Sequence, residues 1–204
     1  MSPVGVPGDR LRIVPANEAA CEDLDAVLGT RGPGSRCLCQ RYKLARGEAF
    51  GSFPAEERAS RWHDQTSCGD PTAPATSGLV AYSGDEPVGW CAVEPRTAYQ
   101  GLVRVFTVPW KDRTEDRRDP SVWAVTCVFV RAGHRRRGIG SALALAAVPF
   151  ARGRGASALE AYPITTTAVI DEELHVGTVP MFEAAGMRQV AAPTPRRVVM
   201  RLDL

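Results

Sequence analysis

The stretch VTCVFVRAGHRRRGIGSALALAAV, Val125 to Val148, decides how the chain is read. Its first six residues are β-branched or aromatic apart from Cys127, the signature of a buried strand. Its last seven, Ala142 to Val148, are alanine and leucine apart from the final valine, strong helix formers. Between them lie Arg135, Arg136, Arg137 and then Gly138-Ile139-Gly140. A helix that starts on glycines directly after a strand presents unpaired backbone N–H groups and the positive end of its dipole. Glycines let a ligand approach those amides closely, and the arginines add charge, so the junction reads as an anion site. It is not a P-loop, since no Gly-Lys-Ser/Thr follows, and it is not the three-glycine dinucleotide fingerprint. The competing explanation is a solvated basic turn.

The rest of the chain supplies context. Its 204 residues suit one domain, 1–204, and the 44% apolar and 24% charged composition is that of an ordinary globular protein. A formal charge of +2 is too mild for a nucleic-acid module, so no nucleic-acid partner is expected. No apolar run is long enough to span a membrane and the start lacks a secretory pattern, which points to a cytoplasmic protein without a membrane partner. Six cysteines are expected to be reduced thiols, and the scattered histidines and lack of ligand spacing argue against a metal site.

Along the chain, residues 1–9 read as a loose terminus and LRIVP as a short strand. Asn17 is a plausible cap for the helical pattern EAACEDLDAVL, and Pro54-x-Glu56-Glu57 starts another helix. LVAYSGDEPVGWCAVEP is a hairpin turning at Ser83 to Glu86. LVRVF reads as a further strand, and the charged stretch from Trp110 to Asp119 as a solvated loop or a flap over an acceptor. SALEAYPI is a strand, TVPMFEAAG a short helix closed by Gly186, and the last residues two strands around Pro193-Thr194-Pro195. Residues 30–75 are the hardest to read, a helical and loop region placed where it could cover an acceptor site.

Val130, Arg135, Gly138 and Gly140 match, position by position, the pattern V-x-P-x-x-(Q/R)-x-x-G-x-(G/A), with Ala132 at the proline. The segment resembles motif A of the GNAT superfamily of acyl-coenzyme A-dependent N-acyltransferases. MFEAAGMRQV resembles that family's second signature. The resemblance implies a mixed α/β fold whose mostly antiparallel sheet has splayed central strands flanked by helices. It implies acetyl-CoA as co-substrate, its pyrophosphate on the turn Arg135, Arg136, Arg137, Gly138, Ile139, Gly140 and Ser141. Its pantetheine arm would follow Val128, Phe129 and Val130, with the backbone near Val128 stabilising the oxyanion. Phe182, near the coenzyme by the same analogy, stands where many members carry a tyrosine acid, and it has no proton to give.

With that acid missing, Glu160 and Tyr162 are the first candidates for base and acid, because they share a face of the strand beside the motif strand. His175 and Asp171 are alternatives. Cys127 reads better as a buried structural cysteine than as a nucleophile. The expected activity is acetyl transfer to a primary amine by direct attack, in a monomer or homodimer, with a small-molecule acceptor favoured. The alternative is a coenzyme-binding sensor with little turnover.

Overall fold

A computed structural model describes residues 11–29, 32–49, 54–104, 108–166 and 168–204. The expected loose segment 1–9 lies outside them. Seven strands form one sheet in the order β1-β2-β3-β4-β5-β7-β6. They are β1 Leu11–Pro15, β2 Gly78–Ser83, β3 Glu86–Pro95, β4 Val122–Val130, β5 Ala158–Ala161, β6 Arg188–Thr194 and β7 Arg197–Asp203. Every neighbouring pair is antiparallel except β4 with β5. This is the mixed, mostly antiparallel α/β architecture that the sequence implies.

Strand alternation sorts the core into two layers. On β2, Leu79 and Ala81 face one cluster while Val80 and Tyr82 face the other. The first layer is closed by α5, Ile139–Arg152, and α6, Val179–Ala184, through Leu143, Ala144, Ala147 and Phe182. The second is closed by α1, Cys21–Leu28, and α3, Ala55–Thr66, with Leu24 and Val27 beside Trp62. Trp62 meets Trp90 edge-on, with centroids 5.6 Å apart. Two short helices, α2 Pro33–Cys37 and α4 Gln100–Arg104, complete the set.

Several local expectations change. Residues 102–104 of LVRVF belong to α4, and 105–107 lie outside the described residues. The helix after Asn17 begins at Cys21; Asn17 itself is buried and its Nδ2 donates to the Asp70 carbonyl at 3.2 Å. Cys21 and Cys68 are joined as a disulfide with Cα atoms 5.1 Å apart, against the expectation of six thiols. The other four cysteines are free. The Cys21–Cys68 bond ties the start of α1 to the turn after α3. Among the described residues, Cys21, His63 and Cys68 are the group close enough to hold an ion, but both sulfurs are taken by the disulfide. Among the described residues no helix is long and apolar enough to cross a membrane.

The charged stretch after Trp110 is anchored rather than a free flap. The Trp110 indole is buried, donates to the Leu102 carbonyl at 2.8 Å, and is surrounded by the guanidiniums of Arg96, Arg113 and Arg117 at 4.9, 5.0 and 5.2 Å from its centroid. Arg96 adds bonds to the carbonyls of Arg117, at 3.1 Å, and Asp116, at 2.5 Å.

Candidate active site

The site follows from a mismatch in the sheet. β4 and β5 pair only from Val122–Ala158 to Val125–Ala161, after which β5 ends while β4 runs on to Val130. On its other side β4 stays paired with β3, with a register shift between Ala92 and Val93 that leaves Thr126 as an extra residue. Residues 126–130 therefore border a gap where a strand partner would lie. Strand residues alternate the side to which their N–H and C=O point. The Arg131 amide donates to Val88 of β3 at 3.0 Å, so the amides of Val130 and Val128 face the gap. The Arg135 Nε bond to the Val130 carbonyl, 3.3 Å, confirms that orientation.

The gap opens into a cavity of about 500 Å³ walled by Cys127 to Val130, Arg135 and Gly140 together with Cys37, Cys39 and Arg41. Gly138 precedes α5 at φ +78°, a left-handed conformation that glycine adopts without strain. No side chain caps α5, leaving its first-turn amides available at the cavity's basic end. Arg136 is also left-handed, at φ +61°. Gly140 serves packing as well as access: a Cβ there would lie 2.8 Å from Met181 Cε.

A second cavity, about 470 Å³, lies beyond β5 and is walled by Tyr162, Ile164, Glu173, Arg197 and Val199 among others. Arg41 and His175 belong to the walls of both cavities. The His175 ring stands 6.2 Å from that of Tyr42. The side chain of Asp171, the other alternative base, lies outside the described residues.

Glu160 and Tyr162 do share a face, and the Tyr162 hydroxyl donates to Glu160 Oε2 at 2.9 Å. Their surroundings do not suit the base and acid roles. Glu160 is wholly buried, lies on neither cavity wall, and accepts from Arg96 and Arg201 at 3.2 Å each and from Arg113. Three guanidiniums and a hydroxyl surround the carboxylate and leave it no path to an amine. Burial first, and then the Glu160 charge, push the Tyr162 hydroxyl well above its ordinary value. It is a donor fixed on Glu160, not an acid aimed at a leaving group.

Phe182 also departs from expectation. It is wholly buried in the α5–α6 core, against Gly177, and lies on neither cavity wall; its neighbour Met181 faces the first cavity instead. A tyrosine at 182 in this conformation would bury its hydroxyl rather than present it.

The residues that sequence reasoning missed are Cys37, Cys39 and Arg41. Leu38 and Cys39 are consecutive left-handed residues, φ 46° and 53°, a conformation costing about 1–3 kcal/mol at each non-glycine position. The strained turn sets Cys39 on the cavity wall, where the Trp90 indole N–H donates to its sulfur at 3.0 Å. The Cys127 thiol also bonds to Cys39. Only the unusual Cys-Leu-Cys spelling signalled this in the sequence.

The sheet with a gap after its fourth strand, and a glycine turn feeding the next helix, defines an acyltransferase class of fold. The chain belongs to the acetyltransferase (GNAT) family, whose model matches residues 40–170. Among solved structures, yncA from Salmonella typhimurium with its cofactor acetyl-CoA is 14% identical at TM-score 0.54, covering 95% of this chain and 94% of its own. A GCN5-related N-acetyltransferase from Kribbella flavida is 19% identical at TM-score 0.51, over 95% and 98% of the two chains. The PaiA N-acetyltransferase from Thermoplasma acidophilum in complex with coenzyme A is 11% identical at TM-score 0.51, over 96% and 99%. At such identities the likeness is one of fold. No curated protein matches the chain by sequence.

Proposed function

We propose that the protein is a cytoplasmic N-acetyltransferase that moves the acetyl group of acetyl-CoA to a primary amine by direct attack. The observation that carries this reading is the pair of cavities that share His175 and Arg41, one along the open edge of β4 and one beyond β5. The pyrophosphate would rest on the turn Arg135 to Ser141, where amides and arginines converge. The pantetheine would lie along Val128 to Val130, bonded by the amides that face the gap. The Val128 amide is placed to hold the carbonyl oxygen as it gains charge.

The amine enters from the second cavity and needs to lose a proton. His175 stands on the wall common to both sides, and imidazole is suited to proton transfer near neutral pH. It replaces Glu160 as the proposed base. The coenzyme leaves as a thiolate without a dedicated acid, which a thiol, with a pKa of about 8.5, can do. The guanidiniums of Arg41 and Arg197 on the acceptor wall suit a small amine that also carries an anionic group.

Calorimetry with acetyl-CoA followed by a panel of amines, with thiol release recorded, tests the proposal. Binding with amine-dependent release is expected. Binding with no release from any amine would leave the coenzyme-sensor reading, and an absence of binding would overturn the assignment of the first cavity.

A further inference from the structure

Three thiols gather where the direct mechanism needs none. Cys37, Cys39 and Cys127 all line the first cavity, and Cys127 directly precedes Val128, whose amide faces the gap. Cys39 is the one equipped to react. It receives hydrogen bonds from the Cys127 thiol and from the Trp90 indole, the latter at 3.0 Å, and Lys43, ion-paired with Glu94, adds positive charge nearby. The Cys127 bond draws the Cys39 thiol below its ordinary value; burial and the Glu94 charge oppose this, and Trp90 and Lys43 reinforce it. The same bond and burial push Cys127 up, and burial pushes Cys37 and Cys91 up. Of the three thiols on this wall, Cys39 is therefore the one that most readily gives the thiolate, the nucleophilic form. The strained Leu38-Cys39 turn holds the sulfur where the cavity wall meets the core around Trp90.

We propose that Cys39 is an acyl acceptor in its own right, taking an acetyl group from acetyl-CoA when no amine is present. The Cys39 thiolate attacks the thioester carbonyl, and a bond forms between Sγ and the acetyl carbon. The bond to the coenzyme sulfur breaks, and the coenzyme thiolate takes up a proton from water. The proton that Cys39 gives up on forming its thiolate balances the one the coenzyme gains, so the products are S-acetyl-Cys39 and coenzyme thiol. One thioester replaces another, so the exchange runs close to equilibrium and excess acetyl-CoA drives it. The acetyl group stays activated and faces the cavity that shares His175 with the acceptor side. The proposal rests on the coenzyme reading of the first cavity.

The test is to incubate the full-length protein with acetyl-CoA alone and map acetylated peptides by mass spectrometry, with calorimetry on the same preparation. The expected result is one acetyl group on Cys39, removed by neutral hydroxylamine, with one equivalent of coenzyme thiol released. Cys39→Ser should lose the label, and Cys127→Ala should slow loading about tenfold by removing the neighbour that draws the Cys39 thiol down. In the unmutated protein, alkylation of Cys39 by iodoacetamide should be blocked by prior loading and restored by hydroxylamine, a readout that does not depend on how the variants fold. Acetyl-CoA bound by calorimetry but no acetyl on Cys39 would overturn the proposal while leaving the transferase reading intact. No binding at all would overturn both.

Discussion

Replacing Glu160 with Gln separates an architectural carboxylate from a catalytic one. The wild-type side chain has no exposure and accepts from Arg96, Arg113, Arg201 and Tyr162. Gln keeps the shape but removes the carboxylate charge paired with the buried Arg96, and turns an NH₂ group toward donors that need an acceptor. Breaking a buried ion pair from one side costs about 3–5 kcal/mol. For a chain of this length that corresponds to a fall in Tm of about 6–20 °C, at about 2–4 °C per kcal/mol. With m near the upper part of the usual range of about 1–3 kcal/mol/M, the urea midpoint should fall by about 1–2 M. The assay is urea and thermal unfolding followed by circular dichroism, with turnover measured at a temperature where the variant stays folded. There, kcat should remain within about twofold of wild type. An unchanged unfolding midpoint together with a kcat reduced about a hundredfold would refute this reasoning and return Glu160 to the role of base.

Removing the imidazole by His175→Ala should lower kcat by about 10²-fold or more, with calorimetric affinity for acetyl-CoA changed little. Phe182→Tyr should give no gain in turnover, because the added hydroxyl enters a wholly buried site, and should cost about 1–3 kcal/mol in urea unfolding; a rise in kcat would show that the missing acid is supplied from this position. The Cys21–Cys68 disulfide closes a segment of sequence separation 47, so Cys68→Ser should cost up to about 4 kcal/mol by the chain-entropy relation. Reductant should produce a similar shift in wild type and none in the variant.

What the sequence showed clearly was whatever depends on neighbours in the chain. The switch from β-branched residues to alanine and leucine around Gly138 locates β4 and α5, and the Gly84-Asp85 turn locates the β2–β3 hairpin. The second hairpin and α6 are marked in the same way by proline and glycine. What it hid depends on distant partners. Glu160 and Tyr162 alternate correctly along β5, but nothing local reveals that Arg96, Arg113 and Arg201 converge on them from three other segments. The acidic and basic run after Trp110 looks solvated because its charges are visible, whereas the indole that anchors it is a single letter. Leu38 and Cys39 give no sign of a left-handed turn, since neither is a residue that favours one. Disulfide partners 47 positions apart cannot be chosen among six cysteines without geometry.

The short ladder between β4 and β5 also has a mechanical meaning. Four residue pairs join the half-sheet of β1 to β4 to the half-sheet of β5 to β7. Backbone pairing across this seam is short, and side-chain packing carries most of the connection between the halves. A ligand that bonds to β4 along the gap and packs against α6 on the other half would act as a rivet across it. Amide exchange should then slow on both sides of the seam together when the coenzyme is added, and the protein's tightest construction would belong to the loaded molecule rather than the empty one.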